Sequence, residues 1–395
     1  MRLVFIDMHC INFLTNVYSQ IKSGMKIKTY KHKFIVEYAL KNKIEILNYV
    51  SGLDTTNPWV RRMKKFSDSI KLSVKESEFV ITHNYGNNVG IHVITDPSII
   101  RKDDIVIGYF YKKLQREIIS GLNGYRVMMG NHFVSINSPS NLKKEGIDAF
   151  VNEIDLSDNH FVNKYLNTQD VKLITCPYIY ADRFKNLHKK RKNKMVAVGT
   201  LSTIYGQRDY SLYRKEFQTD WIQPMRKEIM DKSEVHPEEI DSYVSYINED
   251  HKEIKDDDSE IVRMYKKVHN RFQPWTQSKY TSFDMVEKFN EYTMFICPEE
   301  LVGMPGIGFV EGMACGTAYI GLDTPYYRKL GLLPGENYIT YDGTYDDLIH
   351  TIRYYQGHVN ETKKIAAAGE KLVRENFNAD IVAKNFFRDL SDLSS

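Results

Sequence analysis

The sequence predicts an α/β protein built from two doubly wound, parallel-sheet domains. Three observations carry that expectation. A chain of 395 residues exceeds one ordinary domain, for which about 100 to 200 residues is usual. Short apolar runs alternate with amphipathic, helix-like segments through the first half, the pattern of a parallel sheet covered on both faces. The pattern stops at a charged stretch, HKKRKNK (188–194), and restarts after it.

The first run, RLVFID (2–7), has one basic residue and polar sequence soon after it, so it reads as a β-strand rather than a signal peptide or anchor. Further strands are expected at KIEILNYV (43–50), EFVITHN (78–84), DIVIGYF (104–110), YRVMMGNH (125–132), DAFVNEI (148–154) and VKLITCP (171–177). HKKRKNK has no apolar content and reads as a connector. Beyond it come MVAVGTL (195–201), TMFICP (293–298), TAYIGLD (317–323) and NYITYD (337–342). Between 201 and 293 the sequence is helical or loop-like with no convincing strand, a gap unusually long for an α/β unit, and it reads as a helical insertion at about 205–280. At the far end, ADIVAKNFFRDLSDL sets Val382, Phe386, Leu390 and Leu393 on one helical stripe that needs a partner, the N-terminal domain being a candidate. The expected division is a first domain (1–187), a linker (188–194), a second domain (195–375) and a terminal helix (376–395).

Composition narrows the function. With 42% hydrophobic and 12% aromatic residues the chain can fill two cores, so disorder is excluded as a reading. Lys and Arg (54) against Asp and Glu (51) leave a net +3, which argues against nucleic acid as the partner. Cys10, Cys176, Cys297 and Cys315 show neither CxxC pairing nor a neighbouring His at zinc spacing, so they read as reduced, mostly buried thiols in a cytoplasmic protein. No apolar stretch approaches the length that spans a bilayer, so any membrane association is expected to be peripheral, at the inner face. Asp256, Asp257 and Asp258 lie in a polar run with no strand before them and read as a solvated face, so no catalytic metal is expected. The NxT sequon at Asn360 has no consequence in that compartment.

The segment richest in chemistry is ICPEELVGMPGIGFVEGMACGTAYIG (296–321), which reads strand, glycine-rich loop, short helix, glycine, strand. Gly306 and Gly308 let backbone approach a ligand, and a helix starting near Phe309 would aim free N–H groups at it, a device suited to a diphosphate. Glu311 in the first turn can accept two ribose hydroxyls; alternatively it is only a favourable first-turn acid and the glycines only make a turn.

GIGFVEGMACGTAYIG resembles the nucleotide-sugar signature of GT-B glycosyltransferases, particularly glycosyltransferase family 4, whose pattern is EGFGxxxLEAMACGxPVI. Other landmarks fall in the same order. LITCPYIYADRF (173–184) is similar to the family segment that closes the first domain, and MVAVGTLSTIYG (195–206) to the strand and loop that open the second. DIVIGYFY followed by GYRVMMGNHF resembles the family's paired strands ending in a His. The resemblance implies two Rossmann-like domains facing across a cleft. It places the donor on the second domain through Gly306, Ile307, Gly308, Phe309 and Glu311, and the acceptor side on the first. His132 would then face the donor sugar, where its ring can donate or accept near neutral pH; a strand-end His is otherwise a hydrogen-bonded structural residue. His83 and His92 are weaker candidates of the same kind.

The departures from the family pattern are specific. The first Glu of the family's pair falls on Gly303, and Glu299 or Glu300 could reach in from the same loop. The family's phosphate-binding Arg and Lys positions are Thr200 and Tyr205. Losing one preorganised donor typically costs about 3 kcal/mol, so other cations must compensate, with Arg208, Arg214, Arg226 and Lys279 as candidates. The expected function is transfer of a sugar from a nucleoside-diphosphate sugar to an acceptor hydroxyl, with retention of configuration and without cofactor or metal, in surface polysaccharide or other glycan synthesis. The rival readings are an epimerase or phosphorylase of the same fold, or a non-catalytic nucleotide-sugar-binding scaffold.

Overall fold

A computed structural model describes residues 1–6, 33–49, 92–94, 96–110, 113–130, 136, 139–202, 211–246, 258–272 and 283–393. Among them the first half forms a seven-stranded sheet from β1 (Arg2–Ile6), β2 (Glu45–Tyr49), β3 (His92–Ile94), β4 (Ile105–Tyr109), β5 (Tyr125–Met129), β6 (Ala149–Asn152) and β7 (Lys172–Thr175). The order is β3-β2-β1-β4-β5-β6-β7 and every pairing is parallel. Among the described residues of this half lie the helices α1 (Lys33–Lys41), α2 (Lys113–Ile119) and α3 (His160–Leu166). Burial on both faces explains the unbroken apolar runs: Val4 and Val106 join one core, Leu3, Phe5 and Ile105 the other.

The second half forms a five-stranded sheet from β8 (Lys192–Leu201), β9 (Ile240–Tyr246), β10 (Tyr292–Ile296), β11 (Ala318–Leu322) and β12 (Ile339–Tyr341), ordered β12-β11-β10-β8-β9 and again all parallel. Its helices are α4 (Ser211–Phe217), α5 (Pro224–Lys232), α6 (Glu260–Phe272), α7 (Met285–Glu291), α8 (Gly308–Ala314), α9 (Pro325–Lys329), α10 (Tyr345–Gly357), α11 (Val359–Asn376) and α12 (Ala379–Ser391). Strand order reverses between β1 and β4 in the first sheet and between β8 and β10 in the second, and ligands of doubly wound sheets bind outside the carboxyl ends at such points.

Four expectations change. The stretch read as a strand-poor insertion contains β9, which pairs with β8 from Met195 through Leu201; its sequence, IDSYVSY, alternates polar residues because it is an edge strand. The 188–194 connector is shorter than expected, since β8 already begins at Lys192. Arg191 is no solvated linker residue: it donates to the carbonyls of Phe289 (3.1 Å), Tyr292 (3.0 Å) and Cys315 (2.6 Å), which fixes the crossing between the halves. The short edge strand β3 was not expected, and the strand predicted at 78–84, with His83, lies outside the described residues.

Helix α12 returns to the first sheet. Val382, Phe386 and Leu390 are buried with Leu3, Phe5 and Phe34, and Phe387 stacks on Tyr38 at 5.1 Å. Contacts also join the halves on the other side. In α4, Tyr213 meets Phe161 of α3 at 4.5 Å and Glu216 pairs with Lys164 at 2.7 Å. Lys329 bridges to Asp155 (3.1 Å) and Asp158 (2.7 Å), and Asn159 donates to the carbonyl of Val302 at 3.0 Å.

Candidate functional site

The two switch points are tied in the same way by different chemistry. In the first sheet Gln115, from α2, accepts from the Tyr109 N–H (2.7 Å) and donates to the Ile6 carbonyl (2.8 Å), joining the ends of β4 and β1. In the second sheet Arg226, in the first turn of α5, donates to the carbonyls of Thr200 (2.8 Å) and Pro298 (3.1 Å), joining the ends of β8 and β10. The first tie is neutral and the second is a cation. Arg226 is only 5% exposed, its Nε finds no partner among the described residues, and no carboxylate there pairs with it. A buried guanidinium held by two carbonyls and the Cys297 sulfur (3.8 Å), with no ion-pair partner among the described residues, leaves its charge available to an anion.

The glycine-rich loop lies directly on this cation. A Cβ at Gly306 would stand 3.0 Å from Cys297 Sγ and 3.2 Å from Arg226 Nη2, and one at Gly308 would meet the same sulfur at 2.8 Å. The absent side chains therefore first admit Cys297 and Arg226 beneath the loop, a different use from the ligand approach that the sequence suggested. Gly199 serves the same end from β8, since its Cβ would come within 2.9 Å of Arg226 Nε. Helix α8 starts at Gly308, Ile307 precedes it with its side chain 44% exposed, and Glu311 sits half-buried beyond. Burial pushes the Glu311 carboxyl up to about 7, with the Arg183 guanidinium pulling the other way. The buried Cys297 thiol is also raised, by burial first, with Arg226 opposing and Glu299, Glu311 and Glu300 adding to the effect.

Several predicted residues have other work. Phe309 is buried in an aromatic cluster with Tyr319, Tyr327 and Phe377, so its side chain cannot contact a donor. Glu299 accepts from Tyr327 Oη (2.6 Å) and the Leu322 N–H (3.0 Å), buried among tyrosines, and does not reach in for the missing carboxylate. Glu300 accepts from Gln223 Nε2 at 3.0 Å at the base of the loop. Thr200 offers its carbonyl to Arg226, so a guanidinium meets the strand end where the family pattern has its cation. Arg214 pairs with Asp220 at 3.3 Å. His132, Arg208 and Lys279 lie outside the described residues, while His92 begins the edge strand β3.

Gln223 and Tyr178 are the residues that sequence reasoning missed. Gln223 accepts from the Ser202 N–H (3.1 Å) while holding Glu300, which stitches the start of α5 to both strand ends. Tyr178 is buried, and its hydroxyl is raised well above its ordinary value by burial, then by Glu300 and Cys297, with Arg226 opposing. Neither stands in a recognisable motif; their only signal is proximity in sequence to PMR and to YADRF. At Gly303, where the family has its first Glu, the loop is instead strained: Val302 has φ +69°, rare for a β-branched residue, and is anchored by Asn159.

Two parallel doubly wound sheets with a site at the second switch point define the GT-B class of fold. HepE of Anabaena in complex with UDP-glucose shares it with a TM-score of 0.53 and 11% identity over 99% of this chain and 100% of that one. Sucrose-phosphate synthase from Thermosynechococcus elongatus gives 0.52 and 9% identity over 100% and 99%, and a glycosyltransferase from Rickettsia africae ESF-5 gives 0.50 and 10% over 99% and 98%. No curated protein matches the chain in sequence. A glycosyl transferase-like family matches residues 263–388, which hold the glycine-rich loop, Glu311 and most of α12. Residues 263–388 are therefore similar to a glycosyl transferase-like family, on a fold shared with GT-B structures.

Proposed function

We propose that the protein transfers a sugar from a nucleoside-diphosphate sugar to an acceptor hydroxyl, with the donor seated at the second switch point. One observation carries the reading: the glycine-rich loop lies on a buried guanidinium that has no ion pair among the described residues, with Glu311 half-buried nearby. Breaking the bond from the anomeric carbon to the diphosphate leaves the electron pair on the phosphate oxygen, so stabilising that charge is the main task. Arg226 supplies it from α5 instead of from the strand end. Glu311 accepts from the ribose hydroxyls, Gly306, Ile307 and Gly308 give backbone contacts, and the family resemblance assigns the sugar contact to His132. HepE, with UDP-glucose bound, supports a uridine donor on this scaffold.

The finer proposals are retention of configuration, no metal, a glycan acceptor in polysaccharide synthesis and a cytoplasmic site of action. They rest on the family resemblance. The division into 1–187, the 188–194 linker, 195–375 and the terminal helix is proposed with the linker shortened by the early start of β8.

Nucleoside-diphosphate sugars should raise the melting temperature, since a ligand of the folded state stabilises it. The stabilising donor should then release its diphosphate together with a glycosylated acceptor. Stabilisation without transfer to any glycan acceptor would indicate a binder, and acceptor-free conversion of the sugar an epimerase.

A further inference from the structure

A doubly wound sheet takes its ligands at the carboxyl ends of the strands, so a cleft at the amino ends needs a separate account. The second half holds such a cleft. It lies where β8, β10 and β11 begin, bordered by Asn193, Thr293 and Gly316, and its volume of about 580 Å³ falls within the roughly 300–1,000 Å³ of small-molecule sites. One wall is the connector at 186–191 and the other is α11. Asn186 joins the two walls: it accepts from the His188 N–H at 3.0 Å, where the backbone turns at φ +52°, and donates to Glu370 of α11 at 3.0 Å. Gly316 makes room for that bridge, since a Cβ there would stand 2.3 Å from Asn186 Nδ2.

The charges lining the cleft are mostly of one sign. Lys189, Lys190, Arg191 and Lys363 stand against the single acid Glu370. Lys189 is matched by Glu287, and Glu370 by Asn186 and by Arg374 at 4.0 Å. Arg191 is spent on the carbonyls that fix the crossing. Lys190 and Lys363, one from each wall, have no ion pair among the described residues. Exposed lysines on a convex surface are screened by water, but the walls of a cleft focus the field of like charges. Beside these lysines Val359, Ala366 and Ala367 give α11 an apolar strip. A carboxylate would bring one charge, whereas a phosphomonoester carries about −1.5 to −2 near neutral pH on three acceptor oxygens, which suits two ammonium groups. Inorganic phosphate would leave the apolar strip uncovered. We infer that the cleft binds a small organic phosphate, with its phosphate on Lys190 and Lys363 and its body against Val359 and Ala367. No residue of the cleft belongs to the donor site, so the inference stands apart from the donor reading.

Acetylation footprinting of the full chain, read by mass spectrometry, tests it. Ribose 5-phosphate or adenosine 5′-monophosphate should slow acetylation of Lys190 and Lys363 several-fold, and whichever protects better assigns the body as sugar or nucleoside. Ribose and adenosine should not protect, and Lys371 of α11 and Lys384 of α12, both exposed outside the cleft, should react unchanged. Arg226→Met should leave the protection intact, which separates failure of this site from failure of the donor site. In that background, Lys190→Gln with Lys363→Gln should weaken the protecting ester by roughly tenfold or more in calorimetry, the scale of lost charged hydrogen bonds, with the melting temperature of the free protein unchanged because both side chains are exposed. Protection by neither ester, equal protection by the uncharged bodies or by inorganic phosphate, or equal protection of Lys371 and Lys384 would overturn the proposal. So would an affinity that the double substitution leaves unchanged.

Discussion

Glu311 shows what a single side chain contributes before any ligand arrives. Its carboxyl is held near 7, against an ordinary 4.5, by burial. The sign follows directly: the folded state binds this proton more tightly than the unfolded one, so its stabilising contribution is full below about 4.5 and lost as pH rises through about 7. Ribose recognition needs the ionised form as acceptor. Nucleotide affinity, titrated calorimetrically across neutral pH, is therefore predicted to fall as pH drops below about 7, and Glu311→Gln should flatten that profile. Arg226 makes a complementary prediction. Arg226→Met should weaken a nucleoside diphosphate by roughly tenfold or more, the scale of one charged hydrogen bond, while leaving the free nucleoside nearly unaffected. Equal loss for both ligands would make Arg226 only a structural tie. Glu311 was legible in the sequence because a motif surrounds it. Arg226 was one candidate cation among several, because what singles it out is the reversal between β8 and β10, a property of topology.

Helix α8 and strand β10 show why the loop has one possible height above the sheet. A Cβ at Gly312 would stand 2.4 Å from the Phe295 ring, so the helix approaches the strand more closely than any side chain would allow. Ala has the better helix propensity by about 1 kcal/mol, but overpacking costs about 1–3 kcal/mol and here the ring is fully buried. Gly312→Ala is predicted to destabilise in denaturant unfolding, whereas Gly357→Ala at the end of α10, with nothing within 4 Å of the new methyl, should be neutral or stabilising. Most strands could be read because burial on both faces makes them continuous apolar runs. Strand β9 could not, since IDSYVSY gains its place by pairing along the whole of Met195 to Leu201 rather than by its own hydrophobicity. The apolar stripe of α12 was equally plain, but its target was settled only by the tertiary contacts with Phe5 and Phe34.

Across the whole molecule, the C-terminal helix closes the first sheet while α4, Lys329 and Asn159 fasten the second half to the first. Each sheet is tied at its switch point by a side chain from an adjoining helix, neutral Gln115 in one and cationic Arg226 in the other. That asymmetry is what the proposed seating of an anionic donor on the second half rests on. Composition alone pointed to two apolar cores and a near-neutral charge, and gave no sign that the switch point of the second sheet would hold a buried cation without an ion-pair partner among the described residues, while the buried Arg2 of the first sheet pairs with Asp104. The most direct test is isothermal titration of the stabilising nucleotide into wild type and Glu311→Ala at pH 8. The account predicts affinity at least roughly tenfold weaker in the variant, the cost of a lost charged hydrogen bond, with a melting temperature of the free protein no lower than wild type, since the variant loses a buried carboxylate that is ionised at this pH. Unchanged nucleotide affinity in a folded Glu311→Ala protein would contradict it.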